Sequence, residues 1–272
     1  MSEFLWLVPV GFVLGAYGTL IGAGGGFLLV PLLLLLYPTD SPHTVATISL
    51  TVVFFNALSG SIAYARMRRI DFKSGLLFST ATVPGAIVGA LATHRMPRRP
   101  FDLLVGVLML AICVFLLRRP SVSVPGEEPR WVLRRRLVEA DGTVHEYSYN
   151  PVLGVSLSLG VGFLSSLLGI GGGIIHVPVM ANLLHFPVHV ATATSHFTLA
   201  IMTLAGVAVH GFEGDFTGVL GRIVPLSIGV AAGAQGGALL ARWVGGVWII
   251  RALVAALAFV GVRLVLLAWH GG

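Results

Sequence analysis

The chain has 272 residues, of which 56% are hydrophobic and only 10% are charged, and its formal net charge is +6. A soluble domain is nearer a quarter charged, so this composition excludes an ordinary soluble protein and indicates several membrane spans. The basic residues gather in loops, as membrane topology requires, so the positive charge does not indicate nucleic-acid binding. The single cysteine, Cys113, excludes a disulfide framework and a thiolate metal site. We expect no cofactor and no metal.

Two glycine-rich stretches stand at matching places in the chain. The stretch IGAGGGFLLVP at residues 21–31 returns as LGIGGGIIHVP at residues 168–178, with six of eleven positions identical. Each lies inside a mostly apolar run, residues 4–36 and 151–184. Such runs are too long for one helix across a ~30 Å hydrocarbon core and too short for two full spans. We predict that each run forms two shortened helices, as a re-entrant hairpin or a broken helix, that meet at Gly24–Gly26 or Gly171–Gly173.

Ordinary spans follow each broken segment. We predict membrane helices near residues 45–65, 75–93 and 101–117, and again near residues 190–209, 217–241 and 247–269. Within the polar stretch between them, two β-prone runs flank Asp141-Gly142 and predict a hairpin. The predicted fold is an all-α polytopic membrane protein of two four-segment repeats plus this small β-hairpin. The predicted units are residues 1–118, 119–150 and 151–272.

Further matches extend the repeat beyond the glycines. The segment 43–49 aligns with 189–195, and Asp71-Phe72 aligns with Asp215-Phe216. The arginine-rich loops 66–73 and 118–150 are expected on the cytoplasmic side, which places the linker 119–150 there. Re-entrant breaks would invert the two halves, whereas full crossings would make them parallel. The inverted arrangement places only one more arginine on the cytoplasmic side than the parallel arrangement does, so both remain open.

The glycine turns and nearby polar side chains form the predicted binding site. Helices that begin at such turns direct free amides and a positive dipole end into a cavity, which favours an anion. The structural alternative for the glycines is close helix packing, and for the hydroxyls it is helix–helix hydrogen bonding. The predicted substrate-binding residues are Gly24, Gly25, Gly26, Gly171, Gly172, Gly173, Thr47, Ser49, Asn56, Thr194 and Ser195.

Two histidines distinguish the second half from the first. His176 and His196 stand where the first half has Leu29 and Leu50. An ionisable group at membrane depth is a functional candidate, and an unperturbed imidazole has a pKa of about 6.5. We predict that at least one of them couples anion movement to a proton, with His196 preferred because it follows Ser195. The alternative is that both only hydrogen-bond to neighbouring backbone.

The paired Gly-x-Gly-Gly-Gly motifs, each with a proline five residues on, resemble the sulfite exporter TauE/SafE family. The Ala-Thr-Ile-Ser and Ala-Thr-Ser helix starts and the polar loop between the halves extend the resemblance over nearly the whole chain. It implies a permease of the bacterial-type inner membrane, whose partners are the lipid bilayer and a small anion such as sulfite or an organosulfonate. It leaves the substrate, the direction of transport and the oligomeric state open.

Two other functions are open at this stage. An intramembrane hydrolase would use Ser59 or Ser195 with a membrane histidine as a Ser–His pair. Ser195 and His196 are adjacent, however, so on a helix they project about 100° apart. A passive anion channel is the other alternative, and composition does not distinguish a channel from a carrier.

Overall fold

The computed structural model describes residues 4–118 and 132–241, and residues 251, 254–255, 257–259 and 261–266 of a last helical segment. The first half contains α1 (Leu7–Ile21), α2 (Gly26–Leu36), α3 (Pro42–Arg66), α4 (Phe72–Thr93) and α5 (Arg98–Arg118). Strands β1 (Leu133–Val138) and β2 (Val144–Tyr149) precede α6 (Pro151–Leu168), α7 (Gly173–Pro178), a π-helical turn (Val179–Leu183), α8 (Val188–Phe212) and α9 (Leu220–Leu240). Among the described helices, α3, α4, α6, α8 and α9 are long and apolar enough to cross a membrane. The expectation of a mainly helical, multi-pass protein is therefore confirmed. Much of the span predicted near 247–269 lies outside the described residues.

Both long apolar runs break at their glycines. Residues 22–25 separate α1 from α2, and residues 169–172 separate α6 from α7. The φ angles are 79°, 74° and 79° at Gly22, Gly24 and Gly25, and the second turn repeats them with 68°, 80° and 67° at Gly169, Gly171 and Gly172. A β-carbon is strained in this left-handed region, whereas glycine adopts it readily. The glycines therefore end one helix and start the next, as predicted.

Each broken segment folds back on itself, and the two open toward opposite ends of the bundle. Phe4, before α1, packs against Gly221 at the start of α9, and Asp40, after α2, pairs with the neighbouring Arg222. In the second half, Phe186 follows the π-helical turn and packs against Tyr149, the last residue of β2 before α6, at a ring distance of 4.9 Å. The end of the bundle where α1 begins and α2 ends also carries the turn after α8, and we call it the Asp215 end. The opposite end, where α6 begins, is called the hairpin end.

The helices α3 and α8 cross the centre of the bundle in opposite directions. Leu50 of α3 faces Gly206 of α8, and further along α3 Gly60 faces His196. These are the most buried spans, with 72% of the apolar window inside the protein in each. An antiparallel crossing with oppositely opening segments is the arrangement that the inverted alternative predicts. The duplication, its inversion and the limits of the three predicted units stay predictions.

Small residues fix the outer helices to their partners. Glycines four residues apart on α9 contact the backbone of α1, and glycines four apart on α4 contact the backbone of α6. In both pairs the residue numbers rise together, so the helices run parallel. Without bulky side chains between them the backbones approach closely, and dispersion contacts hold helices together where lipid supplies no hydrophobic drive. The glycines are Gly229, Gly233 and Gly237 on α9 and Gly85 and Gly89 on α4.

The predicted β-hairpin is present. Its strands pair antiparallel from Leu133 opposite Tyr149 to Val138 opposite Val144. Gly142 has a φ of 88°, and the Asp141 side chain accepts a hydrogen bond of 2.9 Å from the Thr143 amide. The Asp-Gly pair thus forms the turn that joins the two strands, as predicted from the sequence.

A buried carboxylate attaches the hairpin to the membrane helices. Asp71 caps α4 and accepts hydrogen bonds from Arg135 on β1, from the Tyr147 hydroxyl on β2 at 2.7 Å, and from the Ser74 hydroxyl at 2.6 Å. Burial by itself would raise the pKa of Asp71, but these donors outweigh it and lower the pKa to about 2. The carboxylate is therefore ionised at neutral pH, and Arg135 supplies its counter-charge.

We expect Arg135→Gln to release the hairpin from α4. Loss of Arg135 leaves a buried carboxylate without its charged partner, which costs about 3 kcal/mol in comparable sites. The matched control is Arg136→Gln, because Arg136 pairs with Glu146 at 3.5 Å with both side chains largely exposed, and such pairs contribute roughly 0–1 kcal/mol. Amide hydrogen exchange of residues 144–149 measures the effect. Equal protection of these amides in the two variants would contradict the role given to Arg135.

Candidate functional site

The two glycine turns contact each other inside the bundle. A β-carbon on Gly26 would lie 2.7 Å from the carbonyl oxygen of Ile170, and one on Gly173 would lie 2.7 Å from the Cα atom of Ala23. The two contacts are equivalent, because Gly26 aligns with Gly173 and Ala23 aligns with Ile170 in the repeated motif. A side chain at either glycine would therefore push the turns apart.

A buried polar group lies beside the first turn. The Thr19 hydroxyl donates to Asn56 Oδ1 at 3.0 Å, and His196 Nε2 lies 3.3 Å from the same hydroxyl. Since the single proton of Thr19 is given to Asn56, Nε2 of His196 is the donor in that second bond. The Tyr64 hydroxyl donates to the Thr19 carbonyl at 2.8 Å. Asn56 Nδ2 has no partner among the described residues and lies 3.9 Å from the position of a β-carbon on Gly25.

Several buried hydroxyls near the turns also lack a partner among the described residues. Ser165 contacts Gly172, and Thr192 packs against Gly22. Ser49 lies on α3 between Ala46, which contacts Gly169, and Val53, which contacts Gly171. Buried polar groups in native proteins nearly always have a partner, so such atoms mark a place where a polar ligand can bind. The unpaired side-chain atoms in this region are Ser49 Oγ, Asn56 Nδ2, Ser165 Oγ, Ser166 Oγ, Thr192 Oγ1 and His196 Nδ1.

The structure brings together some of the predicted site residues and separates others. The six glycines lie in the two turns, where Gly26 and Gly173 make the contact between them and Asn56 lies beside Gly25. Ser195 Oγ donates to the Gly22 carbonyl at 3.5 Å. Thr47 instead donates to the His43 carbonyl at 2.7 Å near the Asp215 end. Thr194 accepts a hydrogen bond of 3.0 Å from the Asp71 amide near the hairpin end. The hydroxyls of these two threonines therefore bond away from the turns.

The two candidate histidines have different surroundings. His196 touches the polar group at the first turn, whereas His176 lies 3.1 Å from Ser158 Oγ and meets the Phe78 ring edge-on at 5.6 Å. Both side chains are buried. Only His196 therefore contacts side chains that face the glycine turns.

Sequence reasoning missed Thr19, Ser165 and Ser166, which stand just before the two turns. Thr19 and Ser166 occupy equivalent positions of the repeat, 147 residues apart as the glycine motifs are. Extending the comparison of the two motifs a few residues toward the N-terminus would have found this pair. Tyr64 gives no comparable signal, because it reaches Thr19 only through the crossing of α1 and α3.

Comparison with known proteins identifies the family. The family model described as Sulfite exporter TauE/SafE matches residues 7–264. The chain belongs to this family. The resemblance expected from the glycine motifs is thereby confirmed over nearly the whole length.

The similar curated proteins are membrane transporters by name. The probable membrane transporter protein YunE of Bacillus subtilis is 33% identical over 218 residues, which cover 78% of this chain and 80% of YunE. A probable membrane transporter protein of Xylella fastidiosa is 27% identical over 237 residues, 86% of this chain and 82% of that protein. One from Methanocaldococcus jannaschii is 26% identical over 215 residues, with coverages of 75% and 73%. No solved structure gives a significant match. The chain is thus a multi-pass protein of a transporter family, and the hydrolase alternative falls away.

We expect Gly173→Ala to destabilise the protein by about 1–3 kcal/mol, the usual cost of overpacking a tight contact. The added methyl group would meet the backbone of Gly22 and Ala23. Gly160→Ala is the matched control, because Gly160 lies in α6 with nothing within 4 Å of its β-carbon position. Thermal unfolding of the detergent-purified variants measures the difference. A melting temperature for Gly173→Ala equal to that of Gly160→Ala would show that the turns do not depend on their close contact.

Proposed function

We propose that this transporter moves a small sulfur oxyanion, sulfite or an organosulfonate, and binds it between the two glycine turns. The observation that carries the proposal is the group of unpaired buried polar atoms beside two helix starts. The residues proposed to surround the anion are Gly24, Gly25, Gly26, Gly171, Gly172, Gly173, Ser49, Asn56 and Ser195, with Ser165 and Thr192 added.

Helix starts supply the positive potential in this proposal. The helix α2 and the helical segment Gly173–Leu183 both begin at the turns. The first amides of a helix have no partner inside it and carry a partial positive charge. The buried charged residues of the described chain, Arg69, Asp71 and Glu139, lie instead at the hairpin end. An anion at the turns would therefore be held by amides and neutral donors, without the cost of burying an arginine in the membrane.

The arrangement of the two folded-back segments suggests how access alternates. Ser49, Asn56, Ser195 and His196 are each 0% exposed, so the proposed site is closed in this conformation. The segment α1–α2 opens toward the Asp215 end and packs along α9, whereas α6–α7 opens toward the hairpin end and packs along α4. Movement of one of these units against the other would expose the turns to one side at a time, as in transporters with broken helices.

Reconstitution into vesicles with labelled sulfite tests the proposal. We expect saturable uptake of sulfite that is accelerated by unlabelled sulfite inside the vesicles. Sulfate, thiosulfate, sulfoacetate and simple carboxylates are then added as competitors, and each one that binds the same site should inhibit the uptake. Gly172→Leu should reduce this counterflow to background, because the residue has a φ of 67° and contacts Ser165. Gly160→Ala should transport as the wild type does.

Three results would contradict the proposal. Normal counterflow in correctly inserted Gly172→Leu would locate the site elsewhere. Flux without saturation or counterflow would indicate a channel. Exchange of simple carboxylates alone, with no response to any sulfur anion, would remove the proposed substrate class.

We further expect His196→Gln to flatten the dependence of anion flux on pH between 5.5 and 8. His196 is the one candidate histidine that contacts the polar group at the first turn, so a proton on its ring would act directly on a bound anion. Glutamine keeps a donor near Thr19 but does not titrate. His176→Gln, whose imidazole contacts Ser158 and Phe78, serves as the comparison. Identical pH profiles for the wild type and both variants would exclude a coupling role for either histidine.

A further inference from the structure

Two histidines and an aspartate meet at the Asp215 end, away from the glycine turns. His94 follows the last residue of α4, His210 is in the last turn of α8, and Asp215 lies in the turn before α9. One ligand atom from each residue can be chosen so that all three lie within 4.8 Å of one another. Asp215 Oδ2 is 3.1 Å from His94 Nε2 and 2.8 Å from His210 Nδ1. His94 thus reaches the same carboxylate oxygen as His210, although it is more than a hundred residues away in sequence.

These distances fit a shared metal ion. Zinc binds imidazole nitrogen and carboxylate oxygen at about 2.0–2.2 Å. Two ligands of one such ion therefore lie about 2.9 Å apart at a right angle and about 3.4 Å apart in a tetrahedron, by simple trigonometry on those bond lengths. Both distances from Asp215 Oδ2 are within a few tenths of an ångström of this range. The ligand atoms of His94 and His210 lie within 4.8 Å of each other, so the two rings must also move together to share one ion.

Hydrogen bonding within the cluster leaves donors and acceptors unused. His94 Nε2 is close to the Asp215 carboxylate yet makes no aligned hydrogen bond with any described residue. His210 is 0% exposed and faces the carboxylate through Nδ1. An unpaired buried nitrogen is costly. His94 Nε2 is therefore a nitrogen beside Asp215 whose capacity to bind the described contacts do not use.

The matching position in the other half shows what the cluster lacks. Asp71 aligns with Asp215 in the repeat, and its charge is met by Arg135. The contacts of the Asp215 carboxylate are His94, His210 and the Thr47 hydroxyl, while Arg222 on the next helix pairs with Asp40. The His43 ring adds a third imidazole, stacked on His94 at 5.2 Å. Among the described residues no arginine or lysine contacts the Asp215 carboxylate, and a cation held by the imidazoles would supply the charge that Arg135 supplies to Asp71.

We propose that His94, His210 and Asp215 bind a divalent transition-metal ion of the Zn²⁺ type. Two imidazoles with one carboxylate favour zinc and similar ions over magnesium or calcium, which prefer oxygen ligands. A cavity of about 480 Å³ opens onto His94 and gives the ion a route from the surface. The remaining coordination positions are open to water or to His43. The cavity is lined by Val88, Leu91, Ala92, His94, Arg95 and Glu213.

Metal binding would link elements of both halves. The ion connects the end of α4 to the end of α8 and to the turn that leads into α9. An occupied site would restrain these elements relative to one another, and this consequence rests on the proposed alternating access.

Binding of Co²⁺, a coloured substitute for Zn²⁺, tests the site on the full chain after treatment with a chelator. We expect visible absorption that saturates at one Co²⁺ per chain and disappears when Zn²⁺ is added. His210→Gln and Asp215→Asn should weaken Co²⁺ binding at least tenfold, because each removes a ligand. His185→Asn is the matched control, since His185 is exposed and its φ of 56° is one that asparagine tolerates. This control should bind Co²⁺ as the wild type does.

A second measurement uses the wild type alone and so does not depend on the folding of a variant. Zn²⁺ should protect His94 from carbethoxylation by diethyl pyrocarbonate, mapped by mass spectrometry, and leave the modification of His185 unchanged. Zn²⁺ should also raise the melting temperature, because a ligand that binds the folded state stabilises it. The proposal is overturned if the wild type shows no saturable Co²⁺ absorption, or if Zn²⁺ does not protect His94. It is equally overturned if His210→Gln and Asp215→Asn bind Co²⁺ as tightly as His185→Asn does. That result would mean that the three residues only form hydrogen bonds with one another.

Discussion

The contact between the two glycine turns is the constraint on which the rest of the structure depends. Each turn can approach the other only because Gly26 and Gly173 have no side chain, and each turn can form only because its neighbours adopt positive φ angles. In a membrane a broken helix leaves backbone groups that lipid cannot satisfy. Burying one break against the other keeps both away from lipid. The close contact and the proposed anion site are therefore two consequences of the same glycines.

That contact explains why α3 and α8 occupy the centre of the bundle. Val53 of α3 and Leu199 of α8 flank the turns, and both side chains are buried. The polar side chains that face the turns are carried mainly by the same two helices. Any movement that opens the proposed site must therefore change how these two helices contact the folded-back segments.

The two ends of the bundle solve one electrostatic problem in different ways. At the hairpin end Asp71 is paired with Arg135, so the β-hairpin is part of the closure of that end. At the other end the Asp215 carboxylate contacts His94 and His210, where we propose that a bound divalent ion supplies the counter-charge. A permanent counter-charge gives a fixed contact, whereas an exchangeable one allows regulation. This difference points to the Asp215 end as the place where conditions outside the protein influence its conformation.

Much of the architecture follows from local features and could be predicted from the sequence. The spans follow from apolar composition, the two breaks from glycines that permit positive φ, and the hairpin from an Asp-Gly turn between β-prone strands. Each of these depends on residues close together in the chain. Ser49 and Ser195 were chosen as site candidates because the repeat aligns them with each other, and Asn56 because a polar residue deep in a span is uncommon; their role in binding stays a proposal.

Partners that come from distant segments could not be predicted in this way. Thr47 and Thr194 look equivalent to Ser49 and Ser195 in sequence, yet their hydroxyls turn to His43 and Asp71, because a helix directs neighbouring residues to different faces. The cluster of His94, His210 and Asp215 exists only where α4 and α8 end side by side. The sequence by itself determined that the chain is a membrane protein with two helix breaks, because composition and glycine conformation act locally. Only the tertiary structure decided which way each break opens and which polar groups meet, because those depend on packing between segments that the chain order does not specify.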